Sequence, residues 1–338
     1  MHIRLILTIL LSLVLYGNDG VAEDIPKAQA SVVQVRADIP EDARTAAALG
    51  RYRVGNGVII DGQGHILTIG YLILEAETIE VILPTGLSAA ASYVGYDHGT
   101  GFGLLKVDRK QGLVPVEMGR SSELGVGDPI LLVGHGGASA VRPASLIARS
   151  EFAGYWEYLL EDALYVTPPH PAFAGAAMLD AEGRLLGIGS IYTQIVMPEY
   201  GPVPCNMFVP IDLLKPILND LKANGRSTAA PPRPWLGLNV EESYGRVFVS
   251  RVHGEGPSQK AGLQERDIIL NVDGRPVSGL ADFYRKVWAL GKAGVQVPLT
   301  LLQGSRIKEI EVRSSDRHQY LRIRPTLKAP RAIIDKAI

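Results

Sequence analysis

From residue 31 to about residue 218 the chain consists of short apolar stretches broken by glycine, a pattern that confines this part to a β fold. Ser31-Val32-Val33-Gln34-Val35-Arg36 alternates apolar and polar side chains, as a half-buried strand does. Val58-Ile59-Ile60 and His65-Ile66-Leu67-Thr68 flank Asp61-Gly62-Gln63-Gly64, a glycine-rich hairpin turn. Residues 80–83, 91–96, 103–107, 130–133, 164–167 and 185–191 read as further strands. Many short strands with turn signals between them indicate an antiparallel barrel or sandwich. Residues 210–221 then have helical spacing, with Leu213, Leu214, Ile217, Leu218 and Leu221 on one side.

Asn224-Gly225-Arg226-Ser227-Thr228 running into Pro231-Pro232-Arg233-Pro234 is polar and proline-rich, and reads as a linker. A second module follows, with strands at residues 247–249, 267–272, 297–302 and 308–312. Its helix is expected over residues 280–290, where Leu280, Phe283, Val287 and Leu290 recur at helical spacing. The tail 315–338 has no clear periodicity and is left unassigned. A length of 338 residues suits two domains, and a 46% hydrophobic content is ample for packed cores. The formal net charge of −1 gives no bulk electrostatic footprint for nucleic acid. A single cysteine, Cys205, excludes an intramolecular disulfide framework and a cysteine-rich zinc site.

The N-terminus reads as an address. Met1-His2-Ile3-Arg4 is a short basic start, residues 5–16 are an apolar run, and Gly20-Val21-Ala22 places small residues at a cleavage site. The run is shorter than the ~20 residues of a membrane-spanning helix. A secretory signal over residues 1–22 is expected, with an uncleaved anchor as the alternative, and the mature protein is expected to be periplasmic.

Several segments together resemble the HtrA (DegP-like) family, a trypsin-like double β-barrel followed by a PDZ domain. Gly55-Asn56-Gly57-Val58-Ile59-Ile60-Asp61 running into Ile66-Leu67-Thr68 is similar to the strand pair that leads to that family's catalytic histidine. Tyr96-Asp97-His98-Gly99-Thr100-Gly101 is similar to the segment bearing its aspartate. Gly125-Val126-Gly127-Asp128 with Val133-Gly134-His135-Gly136, then Pro171 onward to Gly183-Arg184-Leu185-Leu186-Gly187-Ile188, match the later glycine turn and serine loop. Asn206-Met207-Phe208-Val209-Pro210-Ile211 looks like the strand entering the last helix. The resemblance implies a mainly β chymotrypsin/trypsin-like domain over residues 23–224, a linker over 225–234 and a PDZ domain of α+β type over 235–314.

The triad does not survive the comparison. At the positions where the family has histidine, aspartate and serine, this chain has Tyr71, Gly101 and Ala174. A serine nucleophile needs a neighbouring base, and that base needs a carboxylate to fix its tautomer. Alanine has no hydroxyl, and a phenol of pKa ~10 is a poor base at neutral pH. Residues 168–178 contain no serine, threonine or cysteine. The glycine two residues before the family's serine is Ala172 here, which puts the oxyanion N–H in doubt. Tyr71 and Phe173 are expected to fill the emptied cleft.

The expected function is that of an inactive pseudoprotease, with no cofactor, whose PDZ module binds peptides or protein C-termini. Pro234-Trp235-Leu236-Gly237-Leu238-Asn239-Val240 resembles a carboxylate-binding loop and first groove strand. Consecutive N–H groups of such a loop converge on a terminal carboxylate, and the peptide adds as an edge strand. Phe283, Tyr284 and Val287 are the expected pocket residues on the facing helix. The resemblance also implies a homotrimer and, as a partner, an active protease relative. Two alternatives stand beside this reading. One is a serine-type endopeptidase using displaced residues. The other is a metal-binding protein in which His98, His135 and His170 converge.

Overall fold

The computed structural model describes residues 26–108 and 112–323. The expected signal at residues 1–22 and the tail beyond residue 323 lie outside the described residues. β1 (Val32–Asp38), β2 (Tyr52–Ile59), β3 (His65–Ile69), β4 (Thr78–Ile82), β5 (Ser88–Tyr96) and β6 (Phe102–Val107) form a closed barrel. It closes because β1 pairs antiparallel with both β2 and β4. Val33, Val35 and Ala37 are buried, with Gln34 and Arg36 half-buried between them, so the sequence alternation becomes the inside and outside of the barrel. The β2–β3 turn is held by Asp61, whose Oδ1 accepts from the amides of Gln63 and His65 at 3.0 and 3.1 Å. Gly64 ends it with φ +89°, where a Cβ would meet the Val107 carbonyl oxygen at 2.4 Å.

A second closed barrel comprises β7 (Pro129–Val133), β8 (Val141–Gly154), β9 (Tyr158–Thr167), β10 (Ala177–Leu179), β11 (Leu185–Met197) and β12 (Gly201–Pro210). Sequence patterning missed β8 and the first half of β9, and the register shows why. β7 pairs with β8 only as far as Ser145, and β12 pairs with β9 only from Leu164 to Val166. The rest of both strands pair only with each other, Phe152 with Leu160 and Gly154 with Tyr158. This two-stranded arm leaves the barrel, so its side chains follow no barrel interior.

The helix expected over residues 210–221 is divided. A 3-10 turn, Ile211–Leu213, is followed by an α-helix, Leu218–Asn224. Pro216 between them lacks an N–H and disfavours helical backbone at Lys215, which accounts for the break. With the short helix α1 (Ala46–Leu49) earlier in the chain, this one is α2. Gly225 closes α2 in the left-handed conformation, at φ +72°.

The second module is a sheet ordered β13 (Leu238–Ser243), β14 (Arg246–Val252), β15 (Ile268–Val272), β17 (Gln296–Gln303), β18 (Arg306–Arg313), with β16 (Arg275–Pro276) on β15. Helices α3 (Pro257–Ala261) and α4 (Leu280–Trp288) complete it. Its core includes Leu236, Leu238, Val240, Phe283, Tyr284 and Val287, and also Leu159 from the β9 arm. The beginning of the unassigned tail is ordered by contacts far away in the chain. Ser315 exchanges backbone bonds with Trp235 at 3.0 and 2.9 Å, and α5 (Arg317–Tyr320) follows. Among the described residues no helix is long and apolar enough to cross a membrane.

Candidate functional site: an emptied cleft and a filled groove

The segments aligned with a protease triad do meet. Directly after β3, Gly70 donates its N–H to the Gly101 carbonyl at 2.8 Å. Asn56 on β2 donates its N–H to the Ala174 carbonyl at 2.8 Å, and its Nδ2 to the carbonyls of Ala172 and Ala174 at 2.8 and 3.0 Å. Its Oδ1 accepts from the amide of His135 at 2.8 Å. One asparagine thereby ties the 172–174 loop to the strand facing it and to the 134–136 turn.

The groups at the triad-equivalent positions are tied into hydrogen bonds with backbone. The half-buried Tyr71 hydroxyl donates to the Ser190 carbonyl at 2.6 Å, and burial pushes the phenol well above its ordinary range. It has no tendency to accept a proton at neutral pH. Gly101 has φ +82°, and a Cβ there would lie 3.3 Å from the Tyr158 hydroxyl. That hydroxyl donates to the Thr100 carbonyl at 2.6 Å. The place of the third group is therefore filled by a tyrosine from the β9 arm. The Ala172 N–H donates to His170 Nδ1 at 3.0 Å. Phe173, like Tyr71, is half-buried.

The three histidines do not share a site, which corrects the metal-binding alternative. His170 Nε2 is 2.9 Å from the Ala140 carbonyl, so the ring bridges two backbone groups. His98 lies 3.1 Å from Arg317 and 3.2 Å from the Tyr96 hydroxyl. Burial, with Arg317 beside it, holds His98 well below the usual histidine range. Among the described residues no group of three or more histidine, cysteine, aspartate or glutamate side chains is placed to hold a metal ion.

In the second module the turn before β13 forms a cradle of amides. Gly237 takes φ +77°, and the N–H groups of Leu236, Gly237 and Leu238 point to one place. A carboxylate is already there, and it belongs to Glu157 at the tip of the β8–β9 arm. Leu236 donates to Oε2 at 2.8 Å; Gly237 and Leu238 donate to Oε1 at 2.8 and 3.0 Å. Beside it the Val240 N–H donates to the Tyr155 carbonyl at 2.8 Å. The Tyr284 hydroxyl donates to the Gly154 carbonyl at 2.7 Å and accepts from the Glu157 N–H at 3.1 Å.

The groove expected to stand open is therefore occupied by the chain's own hairpin. Phe283, Tyr284 and Val287 are buried, and Leu159 from the arm packs into the same core. Trp235 and Asn239, expected in the site, make their contacts elsewhere. The Trp235 ring lies 4.4 Å from that of Tyr320, and Asn239 Oδ1 is 2.9 Å from His253 Nε2. Sequence reasoning missed Glu157. Its signal is faint, a lone acidic residue between Trp156 and Tyr158 in a stretch with no strand alternation.

Residues 55–188 match the family model of a trypsin-like peptidase domain, and residues 234–313 that of a PDZ domain. Two barrels and this module thus define a peptidase-type fold with an appended PDZ domain. A "Probable periplasmic serine endoprotease DegP-like" of Pseudomonas fluorescens is 29% identical over 278 residues, covering 77% of this chain and 55% of that protein. One from Pseudomonas putida is 29% identical over 276 residues, covering 77% and 55%. The chain spans about half the length of these curated relatives. Among solved structures, the HtrA-type protease AlgW with a decapeptide superposes with TM-score 0.52 at 22% identity, over 90% of this chain and 99% of that one. The serine endoprotease from Yersinia pestis does so with TM-score 0.52 at 23% identity, over 89% and 98%. The chain thus carries a trypsin-like peptidase domain followed by a PDZ domain, the order found in HtrA-type proteases, and is similar to DegP-like proteins over most of its length.

Proposed function

We propose that this protein is an exported, proteolytically inactive HtrA-like pseudoprotease that binds peptides or protein C-termini through its PDZ module. The observation carrying the binding half is the cradle itself. Three amides converge on a carboxylate, and the next strand donates an N–H to a backbone carbonyl of the turn beside it. A peptide C-terminus recognised by strand addition asks for that same set of bonds. Support for the inactive half is chemical: a phenol, a hydrogen and a methyl group stand where base, orienter and nucleophile are needed. The basic start, the apolar run and the periplasmic designation of the relatives support a periplasmic location.

Degradation of casein and titration with apolar-ended peptides test the two halves separately. The expected result is no hydrolysis above background, together with peptide binding that weakens when the C-terminus is amidated, because the cradle then loses a charged acceptor. Equal affinity for free and amidated peptides removes the carboxylate-binding reading. Hydrolysis by the unmodified protein removes the pseudoprotease reading.

A further inference from the structure

The turn at residues 154–158 lies beside β13, with the Tyr155 carbonyl bonded to the Val240 N–H and Glu157 at the amide cradle. A carboxylate on a side chain satisfies the cradle while the main chain continues into β9, which a terminal carboxylate cannot do. The turn adopts an uncommon conformation to achieve this, since Glu157 has φ +58°. A charge this deep costs several kcal/mol unless it is answered, and the three amides offset part of that cost. We propose that the tip of the β8–β9 arm is an internal ligand of the PDZ groove, a latch that an incoming peptide C-terminus displaces by taking the place of the Glu157 carboxylate. The proposal rests on the peptide-binding reading above.

The arm is built to let go. Beyond its base each strand has only the other as its ladder partner, and a two-stranded ribbon is marginally stable on its own. Several contacts that hold the tip are polar groups that water can take over: the three cradle amides, the Val240 N–H, the Tyr284 hydroxyl and Arg317, which donates to the Trp156 carbonyl at 2.9 Å. Arg285 of α4 pairs with Glu151 in the exposed part of the arm. Leu159 anchors the arm in the PDZ core, while Tyr158 and Leu160 anchor it in the neighbouring core cluster. No cradle amide can serve Glu157 and a peptide together, so closure lowers apparent affinity by the fraction of time the groove is open. A groove open about one part in a hundred weakens peptide binding about a hundredfold.

The test uses the full chain, its Glu157→Gln and Glu157→Ala variants, and a peptide with an apolar C-terminal residue. Amide hydrogen exchange is followed alongside peptide affinity. In the unmodified protein the Leu236, Gly237, Leu238 and Val240 amides should exchange slowly. In Glu157→Ala they should exchange much faster, while the barrel cores stay protected. Peptide affinity should rise by about tenfold to a hundredfold in Glu157→Ala, while Glu157→Gln, a neutral side chain that keeps an acceptor oxygen for the cradle, should retain the low affinity. Peptide binding to the unmodified protein should keep exchange slow in the cradle while releasing the Glu157 amide. Fast exchange of the cradle amides in the unmodified protein overturns the latch. So does equal peptide affinity in all three proteins. If the cradle amides open in Glu157→Ala and no peptide binds even then, the peptide-binding reading itself fails and takes the latch with it.

Discussion

At the residue scale, Gly101 shows how little room the aspartate-equivalent position leaves for a carboxylate. An aspartate there has to adopt φ +82° and direct its side chain past the Tyr158 hydroxyl. Restoring Ala174→Ser alone leaves Tyr71 at the position equivalent to the base, and that phenol, bonded to the Ser190 carbonyl, holds its proton firmly. The triple change Tyr71→His, Gly101→Asp and Ala174→Ser is therefore expected to remain unlabelled by serine-directed phosphonates. Adding Ala172→Gly should help the triple variant more than it helps the unmodified chain, as parts of one catalytic unit do. Labelling of the unmodified chain is the outcome that refutes this account.

Glu157 gives the second prediction at this scale. Burial pushes its carboxyl from 4.5 up to about 7, against the pull of the cradle amides and Arg317. Tyr284 faces it from α4 and Arg317 from α5, and His98 lies near its backbone, kept neutral by burial. A raised pKa in the closed state means that closure holds the proton more tightly than opening does. This advantage of the closed form is complete below about 4.5 and is lost as pH rises through about 7. Peptide affinity should thus be weaker at pH 5.5 than at pH 8, while a terminal carboxyl of pKa ~3.5 stays ionised throughout. Parallel pH profiles for the unmodified protein and Glu157→Gln contradict the assignment.

At the scale of elements, the cradle turn depends on one backbone conformation. Gly237→Val places a β-branched side chain at φ +77°, with Pro257 Cδ and the Trp235 ring each 3.2 Å from the new Cβ. A cost of about 1–3 kcal/mol is expected, measurable by denaturant unfolding, together with loss of peptide binding. Unchanged stability argues that the turn is not held as described. The same scale shows what was legible in the sequence. β1, β3 and β6 alternate or run apolar over their whole length, because a barrel interior faces them and the period follows. β8 and the start of β9 were illegible, since their neighbours are each other and a second module. The single helix expected over residues 210–221 ran through the break before α2 because the leucine spacing outweighed Pro216.

For the whole molecule, the segment after residue 314 joins the parts. Ser315 pairs with Trp235, Asp316 accepts from Arg226, and Arg317 reaches Trp156 and His98. His318 lies 3.1 Å from the Tyr96 carbonyl, and the Arg322 N–H donates to Glu75 at 2.7 Å. These contacts link the PDZ module, the arm and the first barrel. A chain ending at Ser314 should unfold in two calorimetric steps where the full chain unfolds in one, and a single unchanged transition counts against that role. Two domains and the missing triad were readable locally. The latch was not, because it pairs a cradle near residue 237 with a turn near residue 157, and no local pattern records that meeting.

Tyr158 gives these parts a shared history. It follows Glu157 in the chain, and its hydroxyl occupies the space beside Gly101. A lineage regaining a carboxylate at position 101 must first vacate that space, and doing so disturbs the turn that carries Glu157. On the pseudoprotease reading proposed above, neither step alone restores proteolysis. The fold then acts as a ratchet: with the arm set across both sites, any path to a working protease runs through forms that disturb the PDZ groove.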